Sequence, residues 1–172
     1  MSAYDPKSPD FPFTLGIEEE YQIIDPETRE LRSYITQILD RGRMILREQI
    51  KPEMHQSIIE VGTNPVRTVQ EARDEVLRLR GTIAALAAEN GLKIAAAGTH
   101  PFSSWMKQEI TPFDRYKGVV DEMQDLALQL LIFGMHVHVG MPSNETAIEI
   151  MSVARYFLPH MMALSTSSPF WM

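Results

Sequence analysis

The sequence predicts an α+β fold, a mixed and largely antiparallel sheet with helices packed on one side. Three observations lead there. Strand-like and helix-like segments follow one another in the order β, α, β, α, β, α, β, α, but without the even spacing of a Rossmann series. No glycine-rich phosphate loop follows any strand. Two segments, FTLGIEEEYQII and GMHVHVG, are rich in β-formers or alternate with period two, and the first closes on a turn signal as a hairpin would.

Residues 1–12 hold Pro6, Pro9 and Pro12 among polar residues and read as a flexible N-terminal arm, with ordered structure starting near Phe13. Phe13 to Ile24 forms a strand that ends at Asp25-Pro26-Glu27-Thr28, after which Arg29 to Leu31 returns as a short partner. Ser33 caps a helix to about Gln49, with Ile35, Ile38, Leu39, Ile45 and Leu46 as its apolar stripe. Pro52 forces extended chain, and His55 to Val61 is a second strand ending at Gly62. Thr68 opens the strongest helix, through Ala88, whose inner face is Val69, Ala72, Val76, Leu79, Ile83 and Leu86. Asn90-Gly91 stops it.

Lys93 to Ala97 is a short buried strand, and Gly98-Thr99-His100-Pro101 is a loop leading to an irregular stretch around Trp105. A helix covers Thr111 to Gln124. Leu126 to Val139 is ambiguous in period at first, but its closing alternation makes at least Phe133 to Val139 a strand. Ser143 caps a helix through Phe157, and a further helical segment follows Pro159 to about Ser165.

Of 172 residues, 23 are Asp or Glu and 16 are Lys or Arg, giving a formal net charge of −7 that opposes binding to a phosphate backbone. Nucleic acid is therefore not an expected partner. With 44% hydrophobic residues the chain can bury a core, and with no cysteine it carries no disulfide, thiolate metal site or catalytic thiol. The N-terminus lacks the basic and apolar regions of a secretion signal, and the longest apolar run, Leu130 to Met135, is far below the roughly 18 residues of a membrane span. The expected location is the cytoplasm, with no membrane partner.

Three constellations carry chemistry. Glu18, Glu19 and Glu20 stand in mid-strand, where alternation puts Glu18 and Glu20 on one face and Glu19 with Ile17 and Tyr21 on the other. Same-face carboxylates repel, so they need solvent, a paired lysine or arginine, or a bound cation. Glu53 and Glu60 form a second pair at a spacing of seven, which on one unbroken strand would place them on opposite faces; joint function needs a bend or bulge between them. Glu60 lies in the apolar run Ile58-Ile59-Glu60-Val61, where it is either a satisfied buried acid or a ligand. His136 and His138 occupy alternate strand positions and share a face, as a core or edge pair or as two metal ligands. Carboxylates with histidine and no thiolate suit Mg²⁺ or Mn²⁺ more than structural Zn²⁺, and such sites commonly serve phosphates. A serine hydrolase is set aside, because no GxSxG elbow exists and Ser57, Ser103 and Ser104 lack an evident general base.

Six motifs stand in order along the chain: GIEEE at Gly16 to Glu20, QSIIEVGT at Gln56 to Thr63, AAGTHPF at Ala96 to Phe102, DRY at Asp114 to Tyr116, GMHVHVG at Gly134 to Gly140 and LPHMMALSTSSPFW at Leu158 to Trp171. Together they resemble the carboxylate-amine ligase family, the type 2 glutamate-cysteine ligases of the glutamine synthetase-like superfamily. The resemblance implies a sheet-lined catalytic funnel in which divalent ions, Mg²⁺ or Mn²⁺, bridge ATP phosphates and the glutamate γ-carboxylate. It implies that Glu20, Glu53 and Glu60 form one metal site, that Glu18 and His136 begin a second, and that His138 faces the ATP phosphates. It also makes Arg115 and Tyr116 substrate-side catalytic residues. The strand pattern alone does not choose between His136 and His138.

The same resemblance implies that residues 13–172 are the N-terminal portion of a single glutamine synthetase-like catalytic domain. Family members continue well past SPFW, with another carboxylate, phosphate and substrate arginines and further strands, so the 172 residues alone are expected to be inactive. The implied substrates are glutamate or a related carboxylate and an amine. A homo-oligomer is expected, its self-association favoured by the apolar Pro169-Phe170-Trp171 and by unpaired strand edges. Two rival readings are a metal-binding or oligomerisation module without catalysis and a metal-dependent hydrolase using the same acids and histidines.

Overall fold

The computed structural model describes residues 12–165. The first strand, β1 (Thr14–Ile24), is the axis of the sheet, because its two edges carry three other strands. It is followed by helix α1 (Ile35–Leu46), a hairpin of β2 (Ile50–Pro52) and β3 (Ile58–Gly62), the long helix α2 (Val69–Glu89) and β4 (Lys93–Ala95). Helices α3 (Asp114–Met123) and α4 (Asp125–Leu128) precede β5 (Met135–Gly140), and α5 (Asn144–Ala154) and α6 (Leu158–Leu164) close the described chain. β3 pairs along one edge of β1, while β5 and β4 share the other, β5 along its first half and β4 at its end. Every pairing among the described strands is antiparallel.

Alternation along β1 sets the layers. Tyr21 and Ile23 point to one face and are buried with Ile59 and Val61 of β3 and Ile50 of β2. Against that face lie Ile35, Ile38, Leu39 and Leu46 of α1 and Leu79, Ile83, Leu86 and Ala87 of α2, a single apolar core. Each Ile, Leu or Val side chain among them contributes about 1.5–3 kcal/mol when fully buried. The opposite face carries Glu18, Glu20 and Gln22, with a smaller cluster of Leu31, Ile58 and Phe133 near the end of β1. A Cβ at Gly140 would collide with Thr14 Oγ1, so glycine there lets β5 close against β1. α2 starts on the expected residue: the Thr68 hydroxyl accepts from Glu71 N–H at 3.1 Å and the Glu71 carboxylate accepts from Thr68 N–H at 3.3 Å, a reciprocal cap.

Several boundaries differ from the sequence expectation. α1 begins at Ile35 rather than after Ser33, because the Tyr34 and Ile35 amides both donate to the Gln56 carbonyl at 3.0 Å and need no capping side chain. It ends at Leu46, where Arg47 turns to φ 53°. The hairpin after β1 shrinks to one bridge between Ile24 and Leu31, its turn held by Asp25 Oδ1, which accepts from Glu27 and Thr28 N–H. Residues 111–113 stay extended because Thr111 is tied to the chain at Glu53 and Met54. The expected helix to Phe157 gives way to a 3-10 turn over Arg155–Phe157, since Pro159 in the first turn of α6 has no N–H for the Arg155 carbonyl.

The expected self-association segment Pro169-Phe170-Trp171 and nearly all of the N-terminal arm lie outside the described residues. No helix among the described residues is long and apolar enough to cross a membrane.

Candidate metal centre

The central observation is a register. In the β1–β3 pair Glu20 stands opposite Glu60, and in the β1–β5 pair Glu18 stands opposite His136 and Gly16 opposite His138. Directly opposed residues share a face, so long-range pairing gathers five of the expected site residues on the side of the sheet away from the core. Glu53 joins them differently. β2 and β3 are antiparallel, with Lys51 opposite Glu60 and Pro52 opposite Ile59, so the chain reverses between Glu53 and Glu60. The bend that joint function requires is a full hairpin turn, not a bulge in one strand.

Glu20, Glu53 and Glu60 place carboxylate oxygens within 4.8 Å of one another, and a Glu18 oxygen and one ring nitrogen each of His136 and His138 lie equally close together. In the first group Glu20 Oε2 accepts from Gly134 N–H at 2.6 Å. Burial holds the Glu20 carboxyl above its ordinary value; the Gly134 bond opposes this and the Glu60 charge adds to it. Burial likewise pushes Glu53 up to about 7, opposed by Met54 N–H and reinforced by Glu60 and Glu20. Among the described residues neither Glu20 nor Glu53 forms an ion pair. The protein thus assembles three carboxylates, and in two of them, Glu20 and Glu53, burial opposes ionisation.

The second group is more open. Glu18 Oε2 lies 2.9 Å from His138 Nε2 and 3.5 Å from His136 Nδ1, while Glu18 Oε1 accepts from Lys51 Nζ at 3.1 Å. The His138 bond is the largest influence holding the Glu18 carboxyl below its usual value, against burial and with help from Lys51. Lys51 Nζ also donates to Glu60 Oε1 at 2.9 Å, so one ammonium joins the two groups. A cavity of about 440 Å³ opens beside Glu18, His138 and Lys51 and is walled further by Gln49, Thr63 and Asn64.

Arg115 and Tyr116, expected on the substrate side, brace the turn that carries Glu53. The Tyr116 hydroxyl donates to the Pro52 carbonyl at 2.8 Å, and Arg115 donates to the same carbonyl at 3.3 Å and to the Tyr116 hydroxyl. The Arg115 guanidinium also lies 4.3 Å from the Tyr116 ring centre. Thr111 completes the brace, its hydroxyl donating to the Glu53 carbonyl at 2.5 Å and its amide to the Met54 carbonyl at 2.7 Å. Sequence reasoning missed Thr111, Gly134 and Lys51. Only Lys51 left a trace, as the cation of KPE two residues before Glu53.

The donor set fits a hard or borderline divalent ion. Three carboxylates within one coordination radius suit Mg²⁺ or Mn²⁺, and a carboxylate with two imidazoles suits Mn²⁺ or another borderline ion.

Comparison with known proteins gives a consistent result. The family model described as glutamate-cysteine ligase family 2 matches residues 14–172. A protein of Roseiflexus castenholzii, provisionally named glutamate-cysteine ligase 2, is 80% identical over all 172 residues of this chain, which correspond to 45% of its own length. Proteins with the same provisional name from Herpetosiphon aurantiacus and Chloroflexus aggregans are each 74% identical over the whole chain, covering 45% and 44% of their lengths. The chain thus spans less than half the length of these curated relatives. Among solved structures, a glutamate-cysteine ligase from Francisella tularensis in complex with AMP superposes with a TM-score of 0.58 at 16% identity, over 84% of this chain and 29% of that one, a likeness of fold.

Proposed function

The chain belongs to glutamate-cysteine ligase family 2, and on that premise we propose that it forms the metal-binding part of an ATP-dependent carboxylate-amine ligase joining the γ-carboxylate of glutamate, or a related carboxylate, to an amine. In this reading residues 13–172 are the N-terminal portion of one catalytic domain. The observation that carries it is the convergence of Glu20, Glu53 and Glu60 from three segments, two of them without a cation among the described residues. Bound Mg²⁺ or Mn²⁺ would neutralise charge on the transferring phosphate.

The protein's own part is to hold and orient. Glu20, Glu53 and Glu60 would supply one ion's ligands, and Glu18 with His136 would begin a second set. His138, bordering the cavity, would donate from imidazole to an ATP phosphate. The bracing of Pro52 and Glu53 by Tyr116, Arg115 and Thr111 would fix the Glu53 ligand without asking either DRY residue to touch substrate. In the reaction a γ-carboxylate oxygen attacks the ATP γ-phosphorus and ADP leaves; the amine nitrogen then attacks the acyl carbon, phosphate leaves and the amine loses a proton. Positioning and fixed charge supply most of the rate.

The reading extends to a cytoplasmic homo-oligomer in which ligation requires parts of the relatives beyond the matched 45%. Purified chain and a full-length relative, each incubated with ATP, Mg²⁺, glutamate and a panel of amines, test it through ADP release. Amine-dependent ADP from the full-length protein and none from the 172 residues is the expected result. Amine-independent ADP from the full-length protein would favour a hydrolase, and no nucleotide turnover would favour a non-catalytic module.

A further inference from the structure

Lys51 occupies a position that the ligase reading does not explain. It lies on β2 directly opposite Glu60, and its ammonium touches both acid clusters, 3.1 Å from Glu18 Oε1 and 2.9 Å from Glu60 Oε1. The division of oxygens is informative. Glu18 turns Oε1 to Lys51 and Oε2 to the two histidines, so the lysine engages one oxygen and leaves the other to the imidazole side. The ammonium is half-exposed on a flexible stem, so it can leave either carboxylate without opening the core.

We propose that Lys51 is a resident cation that balances Glu18 and Glu60 while no divalent ion is bound and thereby weakens divalent-ion binding at both clusters. This rests on the metal-binding reading above. A fixed positive charge touching two ligand carboxylates stabilises the ion-free arrangement, where those carboxylates would otherwise repel one another and Glu20 and Glu53. The same charge repels a divalent ion that must approach the same groups. By linkage, a group that stabilises the ion-free form more than the loaded form lowers ion affinity by the same factor. The consequence is a site that fills readily only when the arriving ion brings compensating negative charge, as a polyphosphate does. An ammonium displaced from Glu18 or Glu60 is then free to pair with that anion beside the cavity it already borders. Lys51 is in this account a positioning residue for Glu18 and Glu60.

Lys51→Met removes the charge and keeps most of the stem, whereas Lys51→Arg keeps the charge. Mn²⁺ binding to the purified chain and both variants, followed by electron paramagnetic resonance of free Mn²⁺, is paired with thermal melting in EDTA and in saturating Mn²⁺. Lys51→Met should bind Mn²⁺ about fifteenfold more tightly, the scale of repulsion between an ammonium and a divalent ion about 5 Å away in a water-like dielectric. It should also melt at a lower temperature in EDTA, and that deficit should shrink in Mn²⁺. Lys51→Arg should restore wild-type affinity. Mn²⁺ binding to Lys51→Met that is weaker than or equal to wild type would overturn the proposal and leave the metal reading standing. No Mn²⁺ binding by wild type or either variant would overturn the metal reading and this proposal with it.

Discussion

The two faces of β1 treat three consecutive glutamates in opposite ways. On the core side Glu19 is buried and its charge is answered within the protein: Arg80 of α2 reaches Glu19 Oε1 at 2.5 Å, and the Tyr21 hydroxyl donates to Glu19 Oε2. Burial and the adjoining Glu19 push the Tyr21 hydroxyl up, so it stays a donor across the ordinary pH range. On the other face Glu20 is given one amide and two more carboxylates. One strand thus solves one buried acid completely and leaves its neighbour's charge to be balanced from outside. The first arrangement is structural, and the second is the one on which the proposed metal site rests.

The comparison can be broken most sharply at Glu60. In a full-length enzyme Glu60→Gln should lower ATP turnover by about a hundredfold or more, since even outer-shell partners of metal ligands cost 10–100-fold. Its melting temperature in EDTA should change little, because relief of the crowding with Glu20 and Glu53 offsets the lost Lys51 ion pair. A large loss of stability with turnover intact would move Glu60 to the structural side. Glu19→Gln should show the reverse pattern. Replacing a charged acceptor of Arg80 and Tyr21 should cost about 1–3 kcal/mol in denaturant unfolding, with Mn²⁺ affinity unchanged; a fall in affinity would merge the two faces into one site.

The pH dependence separates the faces in the ion-free protein. Glu53 titrates near 4.5 when unfolded and about 7 when folded, so the folded state holds its proton more tightly. The stability linked to that proton is fully present below about 4.5 and lost as pH rises through about 7. Glu53→Gln does not titrate, so its melting temperature relative to wild type should climb across that window in EDTA, and saturating Mg²⁺ should flatten the climb. A constant offset across the window would contradict the crowded-carboxylate account. As the smallest effect, Thr68→Ala removes the α2 cap, a residue that belongs to neither acid cluster, and should cost about 1 kcal/mol without altering Mn²⁺ affinity.

What the sequence revealed and what it concealed follow from the range of the interactions. Period two in GIEEEY separated Glu19 from Glu18 and Glu20, and HVH paired two imidazoles, because alternation is local. The Thr68 cap was legible for the same reason, with Glu71 three residues away. The meeting of Glu20 with Glu60 is a register between strands 40 positions apart, which no local period encodes. Glu53 showed the limit plainly: its spacing from Glu60 argues against a shared face until the hairpin is known. Neither Lys51 nor Arg80 could be matched to its acid from the sequence, since the first pairing depends on that hairpin and the second on how α2 lies across β1. The positions Arg115 and Tyr116 were singled out by motif, while their bonds to the Pro52 carbonyl beside Glu53 depend on a contact over 60 positions that no motif encodes.

Diffraction from crystals of the chain soaked in Mn²⁺, with anomalous data collected, would show directly whether the two acid clusters hold ions. One Mn²⁺ peak enclosed by Glu20, Glu53 and Glu60 and a second beside Glu18 and His136 are expected. An empty anomalous map, with Glu20, Glu53 and Glu60 in their ion-free arrangement and Lys51 still bridging Glu18 and Glu60, would contradict this expectation.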